Sequence, residues 1–243
     1  MPVSVVLVHG LRTSATMFRR QVALLQEHGH EPLAIDLPGH GTRMSERFTL
    51  DGAVETIAGA VQRARHPVLL AGFSLGGYTS IHYAGLAEQP IRGLLAASCG
   101  TQPYRLALDA WRAAAAVIHR FPDRGLALHN WAVRAAVRDP ELAEDVLRGG
   151  VALEVMQDTL IELRRLRPMR SLPRIRQPIW FVNGSLDHFR FEERRYLRAA
   201  PDARLLHVRG ATHMVSMTRP DAFDRILLDA VASIAGTPPG LVE

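Results

Sequence analysis

Val68-Leu69-Leu70-Ala71-Gly72-Phe73-Ser74-Leu75-Gly76-Gly77 is the stretch from which the rest of the chain can be read. A short apolar run opened by Pro67 leads into Gly72-Phe73-Ser74-Leu75-Gly76, a G-x-S-x-G pattern. A serine that attacks a carbonyl must stand clear of its own backbone, and a sharp turn between a strand and a helix achieves that. At such a turn the chain passes close to itself, and a Cβ two residues before or after the serine would clash. Gly72 and Gly76 remove those atoms. Gly77 adds room where the helix crosses the sheet. Tyr78 to Ala87 reads as that helix, with Ile81, Ala84 and Leu86 available for burial.

Outward from this turn, strand and helix patterns alternate. Val3 to Val8 is β-branched and almost wholly apolar, as expected of a central parallel strand buried on both faces. Thr16 to His28 reads as a helix with Phe18, Val22, Leu24 and Leu25 on one side, stopped by Gly29. Glu31 to Asp36 is a second strand, and Leu50 to Arg65 a helix with Val54, Ile57, Ala58 and Val61 on its apolar stripe. After the serine turn and its helix, Ile91 to Ala97 is the fourth strand. Ser98, Cys99 and Gly100 lie at its end, where open α/β sheets place their sites.

Between Gln102 and Pro173 no strand signal occurs. Trp111–Arg120, Leu126–Arg138, Pro140–Leu147 and Val151–Leu166 read as helices. The rhythm resumes with strands at 177–182 and 203–208 and helices at 191–200 and 220–235, before a frayed tail at 236–243. The expected fold is therefore α/β: a mostly parallel, doubly wound sheet. Its core comprises residues 1–101 and 174–243, and residues 102–173 form a helical lid, or cap, inserted over one sheet edge.

Composition bounds the function. The chain has 243 residues, one cysteine and a net charge of +5, with every one of its 29 basic residues an arginine. Acids are interspersed among the arginines, so the pattern is that of a solvated surface and not of a nucleic-acid-binding face. No apolar stretch approaches the ~18 residues of a membrane span. The first residues lack the cationic start of a signal peptide. A cytoplasmic protein is expected, with no nucleic-acid or membrane partner and an oligomeric state left open. Cys99 reads as a small packed residue, and no metal-ligand spacing is present; no metal or cofactor is expected.

A serine hydroxyl needs a base, and the base needs a group that holds its tautomer. Eleven histidines are available, and position separates them. His82, His119, His129 and His207 fall within elements. His9 reads as a tether for a neighbouring loop, and His188 as incidental. His213 follows Gly210-Ala-Thr just past a strand, on the same edge as Ser74, and is the expected base. Asp187, in the glycine-containing loop after strand 177–182, is the expected acid. Leu11, after Gly10, is placed to offer a backbone N–H to an oxyanion. Candidate substrate contacts are Arg12, Trp111, Trp131 and Met214.

His9-Gly10, Asp36-Leu-Pro-Gly-His-Gly41, the stretch 72–77, Gly184-Ser-Leu-Asp187 and Gly210-Ala-Thr-His213 together resemble the α/β-hydrolase superfamily. The likeness is to its small lidded esterases and to the branch holding menaquinone-pathway lyases and plant methyl-esterases. It covers residues 3–100 and 175–235 and leaves out the lid; a leading antiparallel hairpin is missing. The resemblance implies a cofactor-free serine hydrolase of a small-molecule ester or lactone. In it Ser74, Asp187 and His213 are nucleophile, acid and base, and Leu11 and Leu75 sit at the oxyanion amides. Carbon–carbon hydrolysis, lyase or thioester chemistry on the same residues is the alternative within the superfamily. A non-catalytic binding protein on the same scaffold is the alternative outside it. The arginine excess also leaves open an acidic substrate held by Arg12, Arg43, Arg105 or Arg112.

Overall fold

The structure, a computed structural model, describes residues 1–86 and 89–236. The frayed tail expected beyond Gly236 lies outside the described residues; the helix after Ser74, expected to reach Ala87, ends at Ala84 with Gly85 as its C-cap. Six strands form one sheet: β1 (Ser4–Val8), β2 (Glu31–Ile35), β3 (Val68–Phe73), β4 (Gly93–Ala97), β5 (Ile179–Gly184) and β6 (Ala203–Val208). Their order is β2-β1-β3-β4-β5-β6, and all five pairings are parallel. Parallel neighbours need crossovers, and these are α1 (Arg19–Glu27), α2 (Leu50–Arg63) and α3 (Leu75–Ala84) in the first half.

Strand β1 shows why the sheet is covered twice. Val6 and Val8 belong to one apolar cluster, with Ile57 and Ile81. Val3, Val5 and Leu7 belong to a second, with Phe18, Leu25 and Leu227. Alternate side chains of a strand point to opposite faces, so a wholly apolar strand requires a core on each. The strand order reverses between β1 and β3, which opens a crevice at their C-terminal ends. Gly10 and Ser74 follow those two ends.

Between β4 and β5 run α4 (Arg105–Ile118), α5 (Leu126–Ala136), α6 (Pro140–Arg148), α7 (Met156–Glu162) and the single turn α8 (Pro168–Ser171). The helix expected over 151–166 is shorter. Residues 151–155, after Gly149 and Gly150 (the latter at φ +81°), run as loop and turn, and Val155 packs under the loop at Gly39 instead. The insert is fastened at several points. The Glu162 carboxylate accepts from the Leu50 N–H that opens α2, at 2.9 Å. Thr16 Oγ1 donates to the Asp145 carbonyl at 2.6 Å. Arg47 forks onto Asp158 at 3.1 Å. The chain ends with α9 (Glu193–Ala199), α10 (Val215–Thr218) and α11 (Pro220–Ile234).

Two buried histidines hold the loop after β2. His9 Nδ1 donates to the Gly10 carbonyl at 2.8 Å, which leaves Nε2 to accept from Leu37 N at 3.0 Å. His40 Nδ1 donates to the Pro38 carbonyl at 3.0 Å. Burial lowers His9 to about 4, and burial together with the neighbouring His9 lowers His40 to about 3. Both are neutral tethers.

Two outcomes follow from this packing. A Cβ on Gly76 would fall on the Val8 carbonyl, and backbone cannot step aside. Gly76→Ala is expected to cost at least about 2 kcal/mol, read from the urea midpoint; an unchanged midpoint would contradict the packing. His9 and His40 titrate near 6.5 when unfolded, so acid favours unfolding. Their contribution is complete above pH 6.5 and is lost as pH falls from 6.5 through about 4 and 3. Stability should fall by up to about 1.4 kcal/mol per pH unit for each histidine. Denaturant midpoints that stay flat from pH 7 to 5 would contradict it.

Candidate active site

Ser74 sits between β3 and α3 at φ +52°, ψ −112°, a conformation that costs a non-glycine residue free energy. The surroundings enforce it. Ser74 N donates to the Ala97 carbonyl at 2.8 Å, and Tyr78 N donates to the Ser74 carbonyl at 3.0 Å. A Cβ on Gly72 would strike the Gly76 carbonyl, and one on Gly77 would lie 2.7 Å from Cys99 Sγ. Helix α3 therefore lies tight against the sheet and is buried nearly all round.

Two loops on the same edge bring in the other groups. They are zipped together: Gly210 N donates to Ser185 Oγ at 2.8 Å, and Leu186 N donates to the Ala211 carbonyl at 2.9 Å. Gly184 lies directly beneath the Ala211 and Thr212 carbonyls, where no side chain would fit. The result places Asp187 against His213. The Asp187 carboxylate accepts from His213 Nδ1 at 3.0 Å and from Phe189 N at 2.8 Å. With its proton on Nδ1, the imidazole presents a bare Nε2 to the Ser74 hydroxyl, 3.0 Å away.

Electrostatics match this arrangement. The Asp187 side chain is fully buried. Burial alone would push its carboxyl up; the hydrogen bond and charge of His213 and the Phe189 N–H more than offset that and hold it below the usual range. An ionised carboxylate there fixes the imidazole tautomer and favours the imidazolium once a proton arrives. Ser98, itself at φ +56°, donates from Oγ to the His213 carbonyl at 2.7 Å and so anchors the histidine backbone. The rings of Phe73 and Phe189 lie 5.3 and 4.8 Å from the His213 ring.

Gly10 explains the other side of the site. Its carbonyl accepts from His9 Nδ1 and from Thr13 Oγ1, at 2.8 and 2.9 Å. In a trans peptide the next N–H points opposite to that carbonyl, so Leu11 N is turned away from the bonds that hold Gly10. A Cβ on Gly10 would lie 2.9 Å from the Phe73 ring and 3.6 Å from Ser74 Cβ. Leu75 N opens α3. Among the described residues neither Leu11 N nor Leu75 N donates to another protein atom.

Ser74 and His213 open into a cleft of about 570 Å³ between the sheet edge and the insert. Arg12, Trp111 and Met214, named from the sequence, line it; Trp111 stacks edge-on to Phe189 at 5.2 Å. Trp131 does not: it is 68% exposed. Helix α5 turns His129, Ala132 and Val133 to the cleft, and a residue two positions from His129 points away. Sequence reasoning passed over His129, Phe189 and His188, whose ring is 5.2 Å from that of His213. It also passed over Ser98 as an anchor. No cluster of histidine, cysteine and carboxylate that could hold a metal occurs among the described residues. No helix among them is long and apolar enough to cross a membrane.

Comparison with known proteins agrees with the fold. The chain is 27% identical over 248 aligned positions to the pimeloyl-[acyl-carrier protein] methyl ester esterase of Xanthomonas axonopodis pv. citri, covering 95% of this chain and 96% of that one. Among solved structures, a thermophilic esterase from Thermogutta terrifontis superimposes with a TM-score of 0.78 at 20% identity, over 96% of this chain and 91% of the other. NosK from Streptomyces actuosus gives 0.72 at 23% identity, over 97% and 100%. The profile of the alpha/beta hydrolase family matches residues 5–226, and the chain belongs to that family.

Proposed function

We propose that this carboxylic ester hydrolase works through Ser74 as nucleophile, His213 as base and Asp187 as the acid that orients it. The observation that carries the proposal is the unbroken chain of hydrogen bonds, 3.0 Å from Ser74 Oγ to His213 Nε2 and 3.0 Å from His213 Nδ1 to Asp187 Oδ1. His213 takes the serine proton as Oγ attacks the ester carbonyl. The oxyanion that forms meets the N–H groups of Leu11 and Leu75, each donor worth about 3 kcal/mol in such a site. The imidazolium then protonates the leaving alcohol. Water, activated by the neutral imidazole, clears the acyl-enzyme and restores Ser74.

Residues 102–173 act as the lid over this site. They supply the apolar wall of the cleft, including Leu108, Met156 and Leu160, and a wall of that kind keeps bulk water from the acyl-enzyme. The cleft volume suits a small-molecule ester with a medium-length acyl part. The Xanthomonas relative's name makes the methyl ester of a carrier-bound acyl chain one substrate to test. Cytoplasmic residence belongs to the same proposal.

Ser74→Ala should lower kcat on p-nitrophenyl butyrate by at least about 10³-fold, and activity within tenfold of wild type would remove Ser74 as nucleophile. Asp187→Asn should lower kcat by on the order of 10³–10⁴-fold while the fold is kept, because the amide no longer fixes the productive tautomer. A loss below tenfold, with unchanged circular dichroism, would remove Asp187 from its role.

A further inference from the structure

Four arginines were candidates for holding an anion, and the structure separates them. Arg43 forks onto Glu46, at 2.6 and 2.7 Å, and donates to Thr56. Arg112 bonds Gln157 and Asp109. Arg105 is exposed, on the first turn of α4. Arg12 alone lines the cleft, and it makes no ion pair or hydrogen bond among the described residues. Its Nε is buried without a partner, and its backbone is held at φ +67° beside Leu11.

Two histidines share this corner. His129 lines the cleft, and its Nε2 is buried without a partner; so is Nε2 of His119, at the end of α4. Both lie near enough to Arg12 to feel its charge. Burial first, and then Arg12, lowers His129 to about 4; burial, Arg124 and then Arg12 lower His119. Both are therefore neutral at pH 7; Arg124 is paired with Glu154, so Arg12 supplies the net single positive charge of the corner. An unpaired guanidinium and unpartnered buried nitrogens in a mainly apolar cleft are costly unless a ligand completes them.

We propose that Arg12, with His129 beside it, forms a subsite for a carboxylate carried by the ester substrate, so that the preferred substrates are esters bearing a second, ionised carboxyl group. The proposal rests on Ser74 as nucleophile and adds the class of molecule that Ser74 acts upon. The planar fork of a guanidinium matches a carboxylate in two parallel hydrogen bonds. The single charge of the corner suits a monoanion better than a phosphate dianion. Arg12 follows the Leu11 amide directly, so an anion seated on it would fix the ester carbonyl relative to Ser74.

The test compares the p-nitrophenyl monoester of glutaric acid with p-nitrophenyl butyrate, each corrected for turnover by the Ser74→Ala protein. The ratio of kcat/KM, carboxylated over neutral, should be at least about tenfold in the wild-type enzyme. It should fall to about 1 in Arg12→Met and remain at the wild-type value in Arg105→Met, which removes one charge from the exposed face. Glutarate should inhibit butyrate ester hydrolysis by the wild-type enzyme at least tenfold more strongly than inorganic phosphate does. A wild-type ratio near 1, a ratio unchanged in Arg12→Met or equally lost in Arg105→Met, or tighter inhibition by phosphate would overturn the carboxylate subsite. Those failures leave the nucleophile untouched so long as Ser74→Ala is inactive on the neutral ester. An active Ser74→Ala would instead bring down the underlying mechanism.

Discussion

The close crossing of α3 over the ends of β1 and β3 is the constraint on which the rest of the molecule depends. It holds Ser74 at φ +52°, a conformation that costs of order 1–3 kcal/mol in isolation. Backbone on every side enforces it: the Val8 and His9 carbonyls below Gly76, the Gly76 peptide beside Gly72, and the Ala97 carbonyl that accepts from Ser74 N. The hydroxyl is thereby lifted off the chain at the crevice where the strand order reverses. Leu75 N, at the start of α3 beside the same crossing, meets no protein acceptor among the described residues.

The remaining polar groups show how an apolar fold tolerates a charged chain of hydrogen bonds. Asp187 is stripped of water, yet it stays ionised because His213 and Phe189 N bond it. His213 is held from behind by Ser98 and enclosed by aromatic rings, so its freedom of rotation is small. His9 and His40 work in the opposite sense. They are buried neutral: Nδ1 of each donates to a loop carbonyl, and His9 Nε2 accepts from Leu37 N. Histidines of one protein thus divide by what each ring nitrogen faces, and the division follows from neighbours that sit far away in the chain.

That distance explains what could and could not be read from the amino acids. The six strands were legible as short, mostly apolar runs, with Asp or Ser directly behind β2, β3, β4 and β5. Ser74, Asp187 and His213 were legible as a set because parallel strands place all their C-terminal loops on one edge. The face of an inserted helix was not. Trp131 and His129 differ by two positions, and only the docking of α5 decides which one meets the cleft. Nor could composition tell the lone Arg12 from the paired Arg43 and Arg112, since pairing is settled by residues that the fold brings near. The irregular path of 151–155 was hidden by apolar spacing that suits a helix; the buried seat of Val155 under Gly39 outweighs it.

The central claim is that His213 and the crossing at α3 together make one particular hydroxyl nucleophilic. Peptide mass spectrometry after brief treatment with a fluorophosphonate tests it most directly. The account predicts a single phosphonyl adduct, on the peptide containing Ser74, that forms rapidly in the native enzyme and not in its unfolded form. An adduct on another serine, or no adduct while ester hydrolysis proceeds, would contradict it.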